Sequence, residues 1–238
     1  MIERYFVTGT DTGAGKTLVA AGMLWAAAAE GKRTVGLKPI AAGAVPTAEG
    51  LRNDDACLLA ATMSEKLPYE QINPVVLQPA IAPHLALREA GLTLDVADLA
   101  ERCAPALARA CDFLVVEGAG GWRVPLNGCE TLADLARLFG FPVVLVVGMK
   151  LGCINHALLS AEAIRSDGLH LAGWVANQID PHQARAAENF ATLVTMLEAP
   201  CIARVPWSED ASVRFMAAHL SLDALRQGDG LAARRAML

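Results

Sequence analysis

The sequence predicts an α/β protein: a doubly wound, mostly parallel sheet with helices on both faces. Short Val- and Ile-rich runs alternate with Ala- and Leu-rich segments along the chain, the pattern of strands buried beneath crossover helices. Hydrophobic residues make up 54 % and aromatics only 5 %, so the expected core is aliphatic. The chain has 238 residues and shows neither repeat nor linker, so a single domain over 1–238 is expected.

The elements follow in order. Arg4–Thr8 reads as a strand, and Lys16–Glu30 as a helix ended by Gly31. Thr34–Lys38 is a second strand, stopped at Pro39, and 39–55 reads as a loop rich in Gly, Pro and Ala. Ala56–Ser64 is a short helix. Residues 67–93 are proline-rich with little periodicity, and a long irregular segment inside a domain is more often functional than idle. Leu94–Ala110 is helical, and Phe113–Glu117 is a strand that ends in a carboxylate before Gly118-Ala-Gly-Gly121. A helix at Leu132–Phe139, a strand at Pro142–Gly148 and a helix at Ala157–Ser166 come next. Leu171–Asn177 is a strand, Pro181–Leu197 a helix and Cys201–Val205 a last strand, before Pro206 and Trp207. The tail, Ser221–Leu238, reads equally as a surface helix or as irregular chain.

The net charge is −5 with both signs interspersed, so no nucleic-acid footprint is present. Phe139–Met149, the longest apolar stretch, is too short to span a bilayer. No apolar leader precedes the first strand, and the six cysteines form no Cys-x-x-Cys pair. The expectation is a cytoplasmic protein whose cysteines are mostly reduced, buried small hydrophobes. The five histidines have no ligand spacing; His84, in the proline-rich segment, is the one expected near a site.

Gly9-Thr-Asp-Thr-Gly-Ala-Gly-Lys-Thr17 follows a strand and opens a helix, the context of a phosphate-binding loop. Its backbone N–H groups and the helix N-terminus favour an anion. Lys16 is placed to bridge β- and γ-phosphates, and Thr17 to bind Mg²⁺ beside ATP. Five residues separate Gly9 from Gly15, one more than the usual pattern. The architecture expected is that of the P-loop NTPases, in a metabolic or partitioning branch.

Magnesium with ATP needs hard oxygen ligands. Glu117 ends an apolar strand, at the ligand-bearing edge of an open sheet, and Gly118, Gly120 and Gly121 allow close approach to an anion. Asn53-Asp54-Asp55 before a helix reads on its own as an N-cap. Lys38 at a strand end reads alone as a solvated side chain. Beside a phosphate loop it becomes a second cation that stabilises charge during phosphoryl transfer.

Together these residues resemble the dethiobiotin synthetases. The matching segments are YFVTGTDTGAGKT (5–17), GLKPIAAG (36–43), GLRNDDA (50–56), VVEGAGGW (115–122), KLGCINHALL (150–159), GWVAN (173–177) and VPW (205–207). They cover most of the chain up to about residue 207, and EGAGGW and KLGCINH are far more specific than a phosphate loop alone. The resemblance implies that 7,8-diaminopelargonate, CO2 and ATP give dethiobiotin, ADP and phosphate. An amine captures CO2 as a carbamate, the carbamate attacks the γ-phosphate, and the second amine closes the cyclic urea.

The resemblance also implies roles. Thr17, Asp55 and Glu117 would be metal ligands. Lys16, Lys38 and Thr12 would line the reacting centre, with Ala42 beside the substrate. Gly13, Ala14, Gly15, Leu18, Gly118, Ala119, Gly120 and Gln178 would belong to the ATP site. Asn177 would recognise adenine, with Pro206 and Trp207 closing that pocket. Gly152, Cys153 and Asn155 would hold the substrate carboxylate, supplied by the partner chain of a homodimer. Gly13 stands where other members carry an acid, and Ala42 where a Ser is frequent.

Two other classes are open to a phosphate-loop protein. A partitioning ATPase usually carries an extra Lys early in the loop, where Thr10, Asp11 and Thr12 stand here, and 222–238 is no basic membrane helix. An amidotransferase needs a glutaminase domain for which this sequence has no room.

Overall fold

The β-branched runs form strands and the Ala- and Leu-rich stretches between them form helices, in a computed structural model that describes residues 2–235. The strands are β1 (Glu3–Gly9), β2 (Thr34–Leu37), β3 (Ile40–Ala41), β4 (Val45–Thr47), β5 (Gly50–Arg52), β6 (Val75–Val76), β7 (Phe113–Glu117), β8 (Val143–Met149), β9 (Leu171–Gln178) and β10 (Cys201–Val205). The helices are α1 (Lys16–Ala29), α2 (Asp54–Thr62), α3 (Tyr69–Ile72), α4 (Pro83–Glu89), α5 (Val96–Leu107), α6 (Leu132–Phe139), α7 (Cys153–Ser166), α8 (Ala186–Met196), α9 (Val213–His219) and α10 (Leu222–Arg235).

Six strands form one parallel sheet in the order β10-β9-β8-β1-β7-β2. β8 explains why the sheet must be covered on both sides. Val144 and Val146 face the core under α1, α2 and α9, while Val143, Leu145 and Val147 face the core under α5, α6, α7 and α8. A strand buried on both faces reads as a continuous apolar run. All six strands end at one edge, where ligands of open α/β sheets bind.

Local departures from the sequence reading cluster where elements are short. The expected loop 39–55 holds β3 and the β4–β5 hairpin, and 67–93 holds α3, β6 and α4. β3 and β6 pair through two residues each, too few to show a period. Helix α7 starts at Cys153, a turn earlier than expected, because Gly152 takes φ 93° as its N-cap. Helix α8 starts later, at Ala186, after Arg185 in the left-handed region. Helix α9, which the sequence reading lacks, buries Met216 against α1; a Cβ on Gly22 would lie 2.6 Å from that side chain. The tail is helical over Leu222–Arg235, and 236–238 lie outside the described residues. Cys103, Cys111 and Cys153 are buried as expected, but Cys57 and Cys129 are exposed. Cys57 lies on α2, which turns only Ala56 and Leu59 fully inward, and Cys129 sits in the polar turn before α6.

Candidate active site

The phosphate loop leaves the central strand β1 and enters α1. Its last glycine, Gly15, caps α1 at φ 93°, and no side chain caps that helix end. The first N–H groups of α1 therefore remain free of side-chain acceptors, as an anion site requires. A Cβ at Gly15 would also sit 2.2 Å from the Asn177 amide, so both conformation and space demand glycine there. Gly13 is likewise left-handed, at φ 77°, but has open space around it. The strand next door, β8, steadies the early loop. The Gly148 N–H donates to Thr10 Oγ1 at 3.3 Å, and Lys150 Nζ donates to Asp11 Oδ2 at 2.8 Å. That hydrogen bond holds the Asp11 carboxyl below its ordinary range. Lys16 Nζ donates to the Asp11 carbonyl at 3.1 Å. Burial, and next the charge of Lys38, push the Lys16 ammonium down.

A charged cluster faces the loop. Lys38 follows β2, and Glu117 ends β7, the strand paired with β2. Lys38 Nζ donates to Glu117 Oε1 at 2.6 Å, to Asp55 Oδ2 at 2.8 Å and to the Gly118 carbonyl at 3.3 Å. The Thr17 hydroxyl donates to the same Glu117 oxygen at 2.8 Å. Burial works against the Lys38 charge, but the Glu117 and Asp55 carboxylates outweigh it and hold the ammonium above its usual range. Asp55 is partly exposed; burial alone would raise it, yet the Lys38 charge keeps it below the ordinary carboxylate value. Glu117 is fully buried, which pushes its carboxyl up against the pull of Lys38, and its Oε2 has no hydrogen-bond partner.

These side chains open into a cavity of about 700 Å³. Thr12, Gly13, Gly15, Lys16, Thr17, Lys38, Ala42, Asp55, Glu117, Ala119 and Gly120 line it, so most of the expected reacting and phosphate residues converge. A second cavity of about 610 Å³ lies at the ends of β8, β9 and β10, lined by Gln178, Pro206 and Trp207 with Phe190 and Arg204. Asn177 is not in that lining. Its Nδ2 donates to the Ala14 carbonyl at 2.9 Å, so its amide holds the phosphate loop. Ala14 is fully buried, and Leu18 is partly buried against the core; neither lines the two cavities.

The first cavity holds two buried cations, Lys16 and Lys38, beside the glycine loop, and the comparisons with known proteins decide the family. A sequence profile described as an AAA domain matches residues 3–213. The ATP-dependent dethiobiotin synthetase of Pseudomonas aeruginosa PAO1 is 59 % identical over 94 % of this chain and 98 % of its own length. The chain belongs to the dethiobiotin synthetase family. The Cellvibrio japonicus protein of the same name is 55 % identical over 94 % of this chain and 97 % of its own. Among solved structures, the septum site-determining protein MinD of Pyrococcus horikoshii, complexed with Mg-ADP, covers 98 % of both chains at 17 % identity and a TM-score of 0.57. The signal recognition particle receptor FtsY of Elizabethkingia anophelis covers 94 % of this chain and 65 % of its own at 14 % identity and a TM-score of 0.52. At these identities the likeness establishes a P-loop NTPase fold and nothing of partners.

One group of family-implied residues stays apart from both cavities. Gly152 and Asn155 are exposed at the start of α7, and Cys153 is buried, with its N–H on the Lys150 carbonyl and its Sγ 3.6 Å from Gln183 Nε2. None of the three lines either cavity. His84 follows the lining residue Pro83 on α4 without joining the lining. Sequence reading missed Ala80–Pro83 and Arg123–Pro125 as walls of the first cavity. The proline-rich segment was the available signal for the former; nothing local marks the latter. Among the described residues no three His, Cys, Asp or Glu side chains gather into a metal cage.

Proposed function

We propose that this chain is a dethiobiotin synthetase that carboxylates 7,8-diaminopelargonate with CO2 and closes the cyclic urea at the expense of ATP. The observation that carries it is near full-length identity of 59 % to a synthetase of that name, joined to a cavity where Lys16 and Lys38 face the phosphate loop. The two lysines suit the chemistry. The carbamate and the γ-phosphate are both anionic, and the attack brings them together. Lys16, with the free N–H groups of α1, would bind the phosphates. Lys38 would sit where negative charge grows, prepositioned by Glu117 and Asp55, so that little reorganisation accompanies the reaction. Acyl phosphate formation releases ADP, and ring closure by the second amine releases phosphate. No covalent protein nucleophile is needed.

Magnesium fits the residues at the first cavity. Thr17, Asp55 and Glu117 supply hard oxygens, and the buried Glu117 Oε2 lacks a partner. When bound, magnesium would neutralise phosphate charge. The second cavity would take the nucleoside, with Gln178, Pro206 and Trp207 around the base. We assign Gly152 and Asn155 to the substrate carboxylate of a second protomer's site. Supporting this are their exposure, their place outside both cavity linings, and the exposed Leu151 before α7 and Leu159 within it. Cytoplasmic location and a single domain complete the reading.

The test is incubation with diaminopelargonate, bicarbonate and Mg-ATP, with mass detection of dethiobiotin. Phosphate release should need both diamine and CO2. Equal ATP turnover with and without the diamine would reject the reading in favour of a switch ATPase.

A further inference from the structure

Lys38 and Asp55 meet side chain to side chain, yet they hang from different parts of the chain. Lys38 follows β2 and Asp55 sits in the first turn of α2. A polar node joins their backbones. The Tyr69 hydroxyl accepts the Asn53 N–H at 2.8 Å and donates to Asn73 Oδ1 at 3.2 Å. Asn73, 1 % exposed, donates through Nδ2 to the Lys38 carbonyl at 2.7 Å and to the Val75 carbonyl at 3.2 Å. Asn53 is the N-cap of α2: its Oδ1 accepts the Asp55 N–H at 3.1 Å and the Ala56 N–H at 3.4 Å. Its Nδ2 donates to the carbonyl of Ala42, a cavity-lining residue, at 3.2 Å. The backbone repeats the link, for the Lys38 N–H donates to the Ile72 carbonyl at 2.8 Å. The Arg52 guanidinium lies 4.2 Å from the centre of the Tyr69 ring and holds it from the outer side.

We propose that Tyr69 and Asn73 are positioning residues that set Lys38 against Asp55 and Glu117. The inference rests on the assignment of Lys38 to the phosphoryl-transfer step. A lysine with four side-chain carbons reaches many points. One placed at 2.6–2.8 Å from two carboxylates keeps its geometry only if both backbones are fixed. The node does this through the buried Asn53 and Asn73 side chains, joined by the partly buried Tyr69 hydroxyl. Removing one hydroxyl leaves the Asn53 N–H and Asn73 Oδ1 without partners, and either group recovers a bond only by moving. The phosphate loop shares no bond with Tyr69 or Asn73: its own ties run to β8 and Asn177, and it meets the Lys38 cluster through the Thr17 hydroxyl on Glu117 Oε1. Loss of the node should therefore touch turnover and spare nucleotide binding.

The experiment compares wild type with Tyr69→Phe, which keeps the ring beneath Arg52, and with Asn73→Asp, which replaces the donor facing the Lys38 carbonyl by an acceptor. Nucleotide-binding sites are titrated with a fluorescent ADP analogue, and diamine-dependent phosphate release is expressed per binding site. Tyr69→Phe should lose roughly tenfold in kcat, the scale of one hydroxyl whose two hydrogen-bond partners are left unpaired. Its nucleotide Kd should stay within about twofold, with KM for ATP unchanged; Asn73→Asp should lose more. Turnover per site within about twofold of wild type in both variants would overturn the inference. So would a nucleotide Kd that weakens in step with turnover, the mark of general loosening. Wild-type protein that releases no phosphate in response to diamine would overturn the functional reading itself, and this inference with it.

Discussion

The Lys38 cluster and the N-terminal end of α7 differ in how far one chain completes them. Lys38 is 2 % exposed and donates to three acceptors drawn from α2, β7 and the residue after β7. At the start of α7, Leu151 is 91 % exposed and Asn155 lies open beside it. The first is a charge arrangement assembled before any ligand arrives, which suits stabilisation of a transition state. The second is a surface with an uncapped helix start and bare apolar side chains, which suits completion by another molecule. On the proposed reading, catalytic order is built inside one chain and recognition is left to an edge.

The comparison breaks most sharply at Lys38. Lys38→Ala should cost about 2.7–4 kcal/mol in kcat, or roughly a hundred- to a thousandfold, with little change in KM for ATP. Normal kcat with a raised KM would move Lys38 to ground-state binding. Next, Glu117→Gln keeps the shape of the side chain but removes its charge. The magnesium needed for half-maximal activity should rise by roughly tenfold, while the melting temperature changes little. An unchanged magnesium titration would take Glu117 out of the metal site.

The open end is tested by complementation. Lys16→Ala and Asn155→Ala homodimers should both be poor enzymes. Reassociated in equal amounts, they should recover roughly a quarter of wild-type activity, because half the dimers are mixed and each mixed dimer holds one intact site. No recovery, with exchange confirmed by native mass measurement, would return Asn155 to its own chain's site. The smallest effect concerns thiols. Cys57 and Cys129 are exposed and should alkylate quickly, whereas burial raises the Cys103 thiol to about 12 and should leave it unlabelled. Cys153, buried in the first turn of α7, should also stay unlabelled. Its rapid labelling would show that this turn opens in the isolated protein.

The long elements were legible because burial writes them into the sequence. Val143–Met149 is apolar at every position because it is covered on both faces, and Lys16–Ala29 is Ala-rich because it packs closely on the sheet. The phosphate loop was legible because Gly15 and the Gly-Lys-Thr junction answer to local backbone geometry. The segments at 39–55 and 67–93 were not. Their strands have two or three residues, and α3 has four, so no period can develop. Asn73 illustrates the loss: it lies unmarked in the proline-rich segment, yet it is almost fully buried and bonded to a residue 35 positions away. Asn177 shows a link of the same kind, for its amide reaches the Ala14 carbonyl in the phosphate loop, 163 positions away.

By itself the sequence determined the alternation of strands and helices, the phosphate loop at the end of β1, and the acid and lysine at two further strand ends. Those depend on short-range rules: side-chain period, glycine conformation and the placing of functional residues at strand termini. Only the tertiary structure decided that Lys38 meets Asp55 and Glu117 at once, that Asn73 bonds the Lys38 carbonyl and the Tyr69 hydroxyl, and that Gly152, Cys153 and Asn155 line neither cavity. Each joins residues distant in sequence through the sheet order and the crossovers between strands, and such pairing leaves no local trace in the chain.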